Sequence, residues 1–308
     1  MVDENKRRFN GHFFLCCGSL VKVKGGKVKV LTEPAVKWCP LMERLYGCKE
    51  INKRVVEEIA RYKVDKLGLF CCHRVFNDKL VVPYGASEII STCMSKGFFE
   101  CAVTVCDGAG TVITSSPSLV QGIGARLTGI VKTSPVKAIL DYIEREDGIV
   151  LNPKTAEINQ VSGVLRAAEL GFKKIAVTVA GFRSWEVPEL RKVEKKRNLE
   201  VTIFSVCNTC TTRNLAKNLL KADLVWASAS KVVKEVVGPK ALLQLGVKIP
   251  VYSLTKRGKR VILAYLEEFK GQIVTFRSTL PYKADVSPHL EEKLLESLLK
   301  EVKGVLKL

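Results

Sequence analysis

The sequence predicts an α/β protein with a largely parallel sheet, flanking helices and a small N-terminal β-hairpin subdomain. From about residue 50 to residue 270, short apolar runs typical of buried strands alternate with segments of helical periodicity. Glycines or capping residues separate many of these segments. A strictly alternating hairpin lies in the first 48 residues instead, so we expect residues 1–48 to form the hairpin region and residues 49–308 the α/β domain.

The N-terminal hairpin is centred on Gly25-Gly26, with valine and lysine alternating on both sides. Two glycines accept the positive φ values of a two-residue hairpin turn without steric cost. We therefore predict that the valines share one buried face; they are Val21, Val23, Val28 and Val30.

Helices and strands then alternate along the chain. Helices are predicted at residues 51–63, 85–97, 135–146, 159–170, 187–197, 212–221, 230–237 and 256–269. Strands are predicted at residues 12–17, 67–70, 102–105, 173–179, 200–206, 224–227 and 249–254. A cap at Asp285–Pro288 should begin a last amphipathic helix that carries Leu290, Leu294, Leu298 and Val302.

A glycine-rich region follows the strand at 102–105. Small residues at the carboxyl end of a parallel strand let a ligand approach the backbone, and a nearby arginine favours an anion. We predict a pocket for a small anionic or phosphorylated molecule, and its candidate residues are Asp107, Gly108, Gly110, Gly122, Gly124, Arg126, Thr133 and Ser134. Tight turns and close packing are the alternative interpretation of the same glycines.

Two nucleotide-binding motifs are excluded in this region. The third glycine of a dinucleotide fingerprint would fall at Ile113 or at Leu127. No Gly-Lys-Ser/Thr follows either glycine pair, so the region is not a P-loop.

The chain has 11 cysteines, and two groups of them follow predicted strands. Cys207 and Cys210 form a Cys-x-x-Cys motif, and Cys71 and Cys72 precede His73. Four such ligands fit zinc or an iron–sulfur cluster, and we predict Cys71, Cys72, Cys207 and Cys210 as metal ligands. A Cys207–Cys210 redox dithiol and plain buried thiols are the alternatives.

The net charge and the lengths of the apolar runs indicate which kinds of binding partner to expect. The net charge of +19 favours an anionic partner, which includes nucleic acid, an acidic protein or a phosphorylated cofactor. The sequence has no nucleic-acid-binding module signature, so we do not expect nucleic acid as the partner. A lysine-rich solvated surface is the alternative explanation of the charge. No apolar run reaches transmembrane length, so we expect a cytoplasmic protein with no membrane partner.

Several separate blocks, in order, resemble the archaeal methanogenesis marker protein 8 family. They are Tyr84–Ile90, Val105–Val112, Val120–Gly129, Leu151–Ala156, Lys174–Val179 and Ala227–Lys231. This resemblance implies an archaeal, anaerobic, cytoplasmic protein associated with methane metabolism, and it carries over no catalytic residues.

The order of segments in Gly85–Val105 and Thr133–Ile139 is similar to part of the beta subunit of the deazaflavin-coenzyme-reducing hydrogenase. Those subunits bind flavin, a four-iron cluster and the deazaflavin, so the likeness implies a flavin or deazaflavin pocket.

Three functions follow from these observations. The first is binding of a small anionic or redox cofactor at the carboxyl edge of the sheet, in methane metabolism or in maturation of its cofactor machinery. The second is a redox enzyme that uses flavin, deazaflavin or an iron–sulfur cluster. The third is a non-catalytic assembly or binding protein whose basic surface contacts a protein partner. The residues alone do not decide whether the chain is an enzyme.

Overall fold

The computed structural model of the chain describes residues 11–283 and 287–307. Its strands are β1 (His12–Cys16), β2 (Ser19–Lys24), β3 (Lys27–Val30), β4 (Val36–Trp38), β5 (Cys101–Cys106), β6 (Gly110–Thr114), β7 (Ile130–Lys132), β8 (Ile149–Val150), β9 (Lys174–Ala180), β10 (Glu200–Val206), β11 (Leu224–Trp226), β12 (Leu243–Leu245), β13 (Val251–Ser253) and β14 (His289–Leu290). Its helices are α1 (Pro40–Tyr46), α2 (Lys53–Leu67), α3 (Ala86–Ser95), α4 (Pro117–Gly124), α5 (Lys137–Arg145), α6 (Gln160–Glu169), α7 (Glu186–Arg197), α8 (Arg213–Leu219), α9 (Lys231–Val236), α10 (Lys256–Glu268) and α11 (Glu292–Leu306).

The largest sheet among the described residues has eight strands in the order β12-β13-β11-β10-β9-β5-β6-β8. Its four central strands, β11, β10, β9 and β5, are parallel, and antiparallel pairs complete both edges. Six of the eight strands therefore run in one direction, because only β6 and β13 are reversed. Helices cover both faces of this sheet, and the predicted fold class is confirmed.

The N-terminal hairpin forms as predicted. Strand β2 pairs with β3 across Gly25-Gly26, and both glycines have positive φ, at 55° and 73°. Val21 pairs with Val30 and Val23 with Val28, so the valines share one face, which packs on the buried side of α2.

A second antiparallel sheet contains this hairpin and faces the carboxyl ends of the parallel strands. Its order is β3-β2-β1-β7, and its fourth strand comes from residues 130–132, far along the chain. Helix α11 packs on its other side, where Leu298, Val302 and Val305 contact Phe13 and Leu15.

Two local predictions differ from the structure in this part of the chain, and a third differs at the C-terminus. Residues 67–70 form no strand, because α2 continues to Leu67 and Gly68 ends it with φ of 64°. Asp107 and Gly108 lie in the turn of a β5–β6 hairpin, whereas the sequence predicts a ligand loop after the strand at 102–105, which is present as β5.

At the C-terminus, the predicted cap at Asp285–Pro288 falls partly outside the described residues. The last helix begins at Glu292, after Glu291, and Leu290 lies in β14. None of the helices in residues 11–283 and 287–307 has the length and apolar character needed to cross a bilayer.

Candidate functional site

A cavity of about 370 Å³ lies between the carboxyl ends of the parallel strands and the N-terminal sheet. The parallel strands contribute Thr104, Thr178, Val206 and Trp226 to its lining. The turn between β1 and β2, the segment before β7 and helices α1 and α2 close the other side. Small-molecule sites in proteins commonly enclose roughly 300–1,000 Å³ and are mostly apolar, as this cavity is.

Lys63 is a buried cation in the cavity wall. Helix α2 turns Val56, Ile59, Ala60 and Val64 toward the interior, and Lys63 lies on that same face with 2% of its surface exposed. Its Nζ lies 3.4 Å from Thr128 Oγ1. Within residues 11–283 and 287–307, Lys63 forms no ion pair.

Arg126 is a second cation in this wall. It follows α4 with φ of 57°, a left-handed conformation that is uncommon for a residue with a side chain. Its Nε is buried and has no hydrogen-bond partner among the described residues. Burying a charged group without a partner is costly, so the buried Lys63 and the half-buried Arg126 both favour an anion in the cavity.

Arg183 also lines the cavity, but its charge is already compensated. Its Nη2 donates to Glu186 Oε1 and to the Ile158 carbonyl oxygen, each at 2.8 Å. Arg183 therefore differs from Lys63 and Arg126, whose partners are a hydroxyl or absent from the described residues.

Five cysteines contribute to the lining: Cys16, Cys17, Cys39, Cys207 and Cys210. Burial raises the pKa of the Cys207 thiol to about 11, although the Lys63 ammonium opposes part of this effect. Burial also raises the pKa of Cys210 to about 12, so both thiols stay protonated at neutral pH.

The structure brings Cys207 and Cys210 to the cavity through a short irregular segment. Strand β10 ends at Val206, Cys207 has φ of 55°, and a 3₁₀ turn covers Asn208–Cys210. The following helix, α8, begins only at Arg213, where Thr212 caps it. The cysteines thus precede the first turn of α8, and its dipole does not offset their burial.

Asp107 does not line the cavity, because its carboxylate is used inside the fold. It accepts hydrogen bonds from the Phe70 N–H at 2.6 Å and from Arg74 Nε at 3.1 Å. The neighbouring Gly108 N–H donates to Thr133 Oγ1 at 2.8 Å. A Cβ atom on Gly110 would lie 2.3 Å from the Ala156 carbonyl oxygen, so this glycine is needed for packing.

Some of the other predicted cofactor residues line the cavity, and the rest pack inside the fold. Gly124 lines the cavity with Arg126, and its missing Cβ lets α4 approach Ser87. Gly122 packs against Phe76, and Ser134 Oγ lies 3.5 Å from the Gly11 carbonyl oxygen. The cavity lining therefore contains Gly124 and Arg126 but not Asp107, Gly108, Gly110, Gly122, Thr133 or Ser134.

The predicted metal ligands do not come together. Cys71 and Cys72 lie in a turn after α2, outside the cavity lining, because residues 67–70 form no strand that would carry them to the sheet edge. Among the described residues, no group of three or more His, Cys, Asp or Glu side chains could hold a metal ion. The donor set thus does not fit zinc or an iron–sulfur cluster bound by these four cysteines.

Lys63, Cys16 and Cys17 line the cavity but are not among the predicted site residues. Lys63 falls four residues after Ile59, on the apolar stripe of α2. A lysine at such a position is the sequence feature by which it could have been predicted. A lysine on an apolar stripe commonly extends its amine to solvent, whereas here it reaches the cavity.

Comparison with known proteins agrees with the archaeal origin implied by the sequence blocks. A family described as "Uncharacterized protein conserved in archaea (DUF2099)" matches residues 12–267. The chain is also 38% identical over 270 residues to "Uncharacterized protein MJ0054" of Methanocaldococcus jannaschii, which covers 87% of this chain and 94% of that protein. The matched residues include the four-stranded and eight-stranded sheets and every residue of the cavity lining, and the chain belongs to this conserved archaeal family.

Proposed function

We propose that the protein binds a small, largely apolar molecule carrying an anionic group, in the cavity at the carboxyl edge of the sheet. The observation that carries this proposal is that two cations of a mostly apolar lining, the buried Lys63 and the half-buried Arg126, form no ion pair among the described residues. An anion in the cavity would compensate these charges, and an apolar body would fill the remaining volume.

A flavin or deazaflavin fits this chemistry. Such cofactors combine a planar ring with a phosphorylated tail, and Trp226 presents an aromatic side chain to the cavity. Trp226 Nε1 donates to the Tyr84 carbonyl oxygen at 2.8 Å, so the indole is fixed in place before a ligand arrives. The weaker resemblance to the hydrogenase subunit supports the same class of ligand.

The assignment to methane metabolism, or to maturation of its cofactor machinery, rests on the resemblance to the methanogenesis marker family. Two alternatives remain within the proposal. A redox enzyme would keep a bound cofactor through purification, whereas an assembly protein would bind and release its ligand. A visible spectrum of protein purified anaerobically separates them, since a retained flavin or deazaflavin absorbs and an empty assembly protein does not.

A pair of matched probes tests the cation site directly. Anilinonaphthalene sulfonate has an aromatic body and one sulfonate, and phenylnaphthylamine has a similar body without the charge. We expect native protein to bind the sulfonate probe more tightly, measured by fluorescence titration. Lys63→Met and Arg126→Ala should each weaken it by roughly tenfold to 150-fold, the loss of one charge-assisted hydrogen bond of about 1.5–3 kcal/mol.

The control variant is Lys24→Met, which removes an exposed lysine of the hairpin and leaves the cavity intact. It should not change the affinity for either probe. Equal affinity for the charged and neutral probes, in variants with native circular dichroism, would contradict an anion site at Lys63 and Arg126.

A further inference from the structure

We infer that Cys16 and Cys17 form a dithiol that exchanges with small anionic disulfides entering the cavity. Both cysteines are lining residues of the cavity, their sulfurs lie 4.0 Å apart, and the buried Lys63 belongs to the same lining. The inference names a substrate class for the cavity of the proposed function, and therefore rests on that function.

The turn between β1 and β2 places the two sulfurs together. Adjacent residues of a strand normally point to opposite faces of the sheet. Here β1 ends at Cys16, and Cys17 and Gly18 form a two-residue turn with φ of 50° and 69°. With Cys17 in this left-handed conformation, the two sulfurs lie on the same side of the turn, 4.0 Å apart.

The Lys63 ammonium favours a thiolate in this pair, and we assign that thiolate to Cys16. The thiol of Cys17 and the Lys63 ammonium lower the pKa of Cys16 to about 7, although burial acts in the opposite direction. The pKa of Cys17 is raised, because it shares its proton with Cys16 and is buried. Two further thiols interact with this pair: Cys39 raises the pKa of Cys17, and Cys16 raises the pKa of Cys48.

The exchange balances with no further reactant. The Cys16 thiolate attacks one sulfur of the disulfide, forming a mixed disulfide and expelling one thiolate, which takes the Cys17 proton. The Cys17 thiolate then attacks Cys16 Sγ and expels the second thiolate, which takes a proton from water. Two electrons pass from the dithiol to the substrate, leaving a Cys16–Cys17 disulfide and two small thiols.

Cys71 and Cys72 are a natural control, because they are also adjacent but lie outside the cavity lining. Burial and the neighbouring Cys72 and Asp107 raise the pKa of Cys71. Trypsin separates the two pairs, since one peptide covers residues 9–22 and another covers residues 67–74, each with only its own two cysteines.

The experiment treats reduced full-length protein with dithiobis(nitrobenzoate), an anionic aromatic disulfide, and follows release of the coloured thiolate. Mass spectrometry should show peptide 9–22 losing two hydrogens without retaining the reagent. From about pH 6 to about pH 8, the rate at this peptide should rise about tenfold, as expected for a thiol of pKa about 7. An ordinary thiol of pKa about 8.5 would show a rise of about 75-fold.

Variants assign the two steps. Cys17→Ser should retain one reagent group on Cys16, and Cys16→Ser should abolish the reaction at peptide 9–22. Lys63→Met should slow Cys16 at about pH 6, and Cys71→Ser with Cys72→Ser should leave its rate unchanged. Free thiols or a persistent mixed disulfide at peptide 9–22 of the wild-type protein, with native circular dichroism, would overturn the inference.

The failure of this inference is distinguishable from failure of the proposed function. The sulfonate probe reports the anion site at Lys63 and Arg126 and takes no part in thiol exchange. Tight probe binding that depends on Lys63, together with an unreactive Cys16–Cys17 pair, would sink the dithiol and leave the anion site standing.

Discussion

Two buried charges, Asp107 and Lys63, lie in different surroundings. Asp107 has 0% exposure, and Arg74 and the Phe70 N–H both donate to its carboxylate. Lys63 has 2% exposure and contacts one hydroxyl, at 3.4 Å. Asp107 thus has an ion-pair partner in Arg74, whereas Lys63 has none among the described residues and lies in the wall of the cavity.

The difference indicates which charge belongs to the fold and which is available for a ligand. A buried carboxylate that accepts from an arginine and a backbone N–H is part of the folded structure. Removing either member of such an ion pair leaves the other charge buried without a partner. A buried ammonium beside a cavity has a place for an external anion. Proximity to glycines does not separate the two, since it is Asp107 that has the glycine neighbours.

The largest expected effect on stability is that of Asp107→Ala. It would leave the Arg74 guanidinium, whose side chain is 2% exposed, without its carboxylate and the Phe70 N–H without its acceptor. Breaking a buried pair in this way typically costs about 3–5 kcal/mol. Urea unfolding followed by circular dichroism measures the loss. A change below about 1 kcal/mol would show that water replaces the carboxylate.

A smaller loss of stability is expected from Thr133→Val, which keeps the shape of a side chain that hydrogen-bonds to the same hairpin turn. The Gly108 N–H would lose its acceptor, and His12 Nδ1 would lose a hydroxyl partner at 2.8 Å. An unsatisfied buried donor of this kind should lower the free energy of unfolding by about 1–2 kcal/mol. Probe affinity in the cavity should not change, and a parallel loss of binding would mean that the two regions are coupled.

The smallest effect on stability is expected from Lys63→Met. Methionine has a similar length and needs no counter-charge, so the free energy of unfolding should stay within about 1 kcal/mol of the wild-type value or rise. Denaturation with urea in the absence of any ligand is the measurement. A loss comparable to that of Asp107→Ala would assign Lys63 to the fold and remove the contrast between the two charges.

Sequence patterns predicted the fold well because the information they need is local. Strand 200–206 and the helices near 159–170 and 256–269 agree with the structure within a residue or two, since apolar periodicity and capping act over a few residues. The strand expected at 67–70 is wrong because a short apolar run that follows a helix resembles a buried strand.

The candidate site was less predictable, because its walls come from distant parts of the chain. Motifs predict Arg126, Cys207 and Cys210, but their place in one cavity with Cys16, Cys17 and Lys63 depends on how the two sheets meet. The sequence predicts Asp107 as a ligand-binding residue because an acid beside glycines resembles a ligand loop. A buried hairpin turn with an internal ion pair has the same local sequence.

The pairing of β1 with β7 has a consequence for how the cavity forms during folding. Residues 12–16 find their sheet neighbour only at residues 130–132, and α11, at residues 292–306, packs on the opposite side of the same strand. Contacts between such distant positions close large loops and form slowly. The wall that carries Cys16 and Cys17 is therefore expected to assemble late, after the parallel sheet, when both ends of the chain have been synthesised.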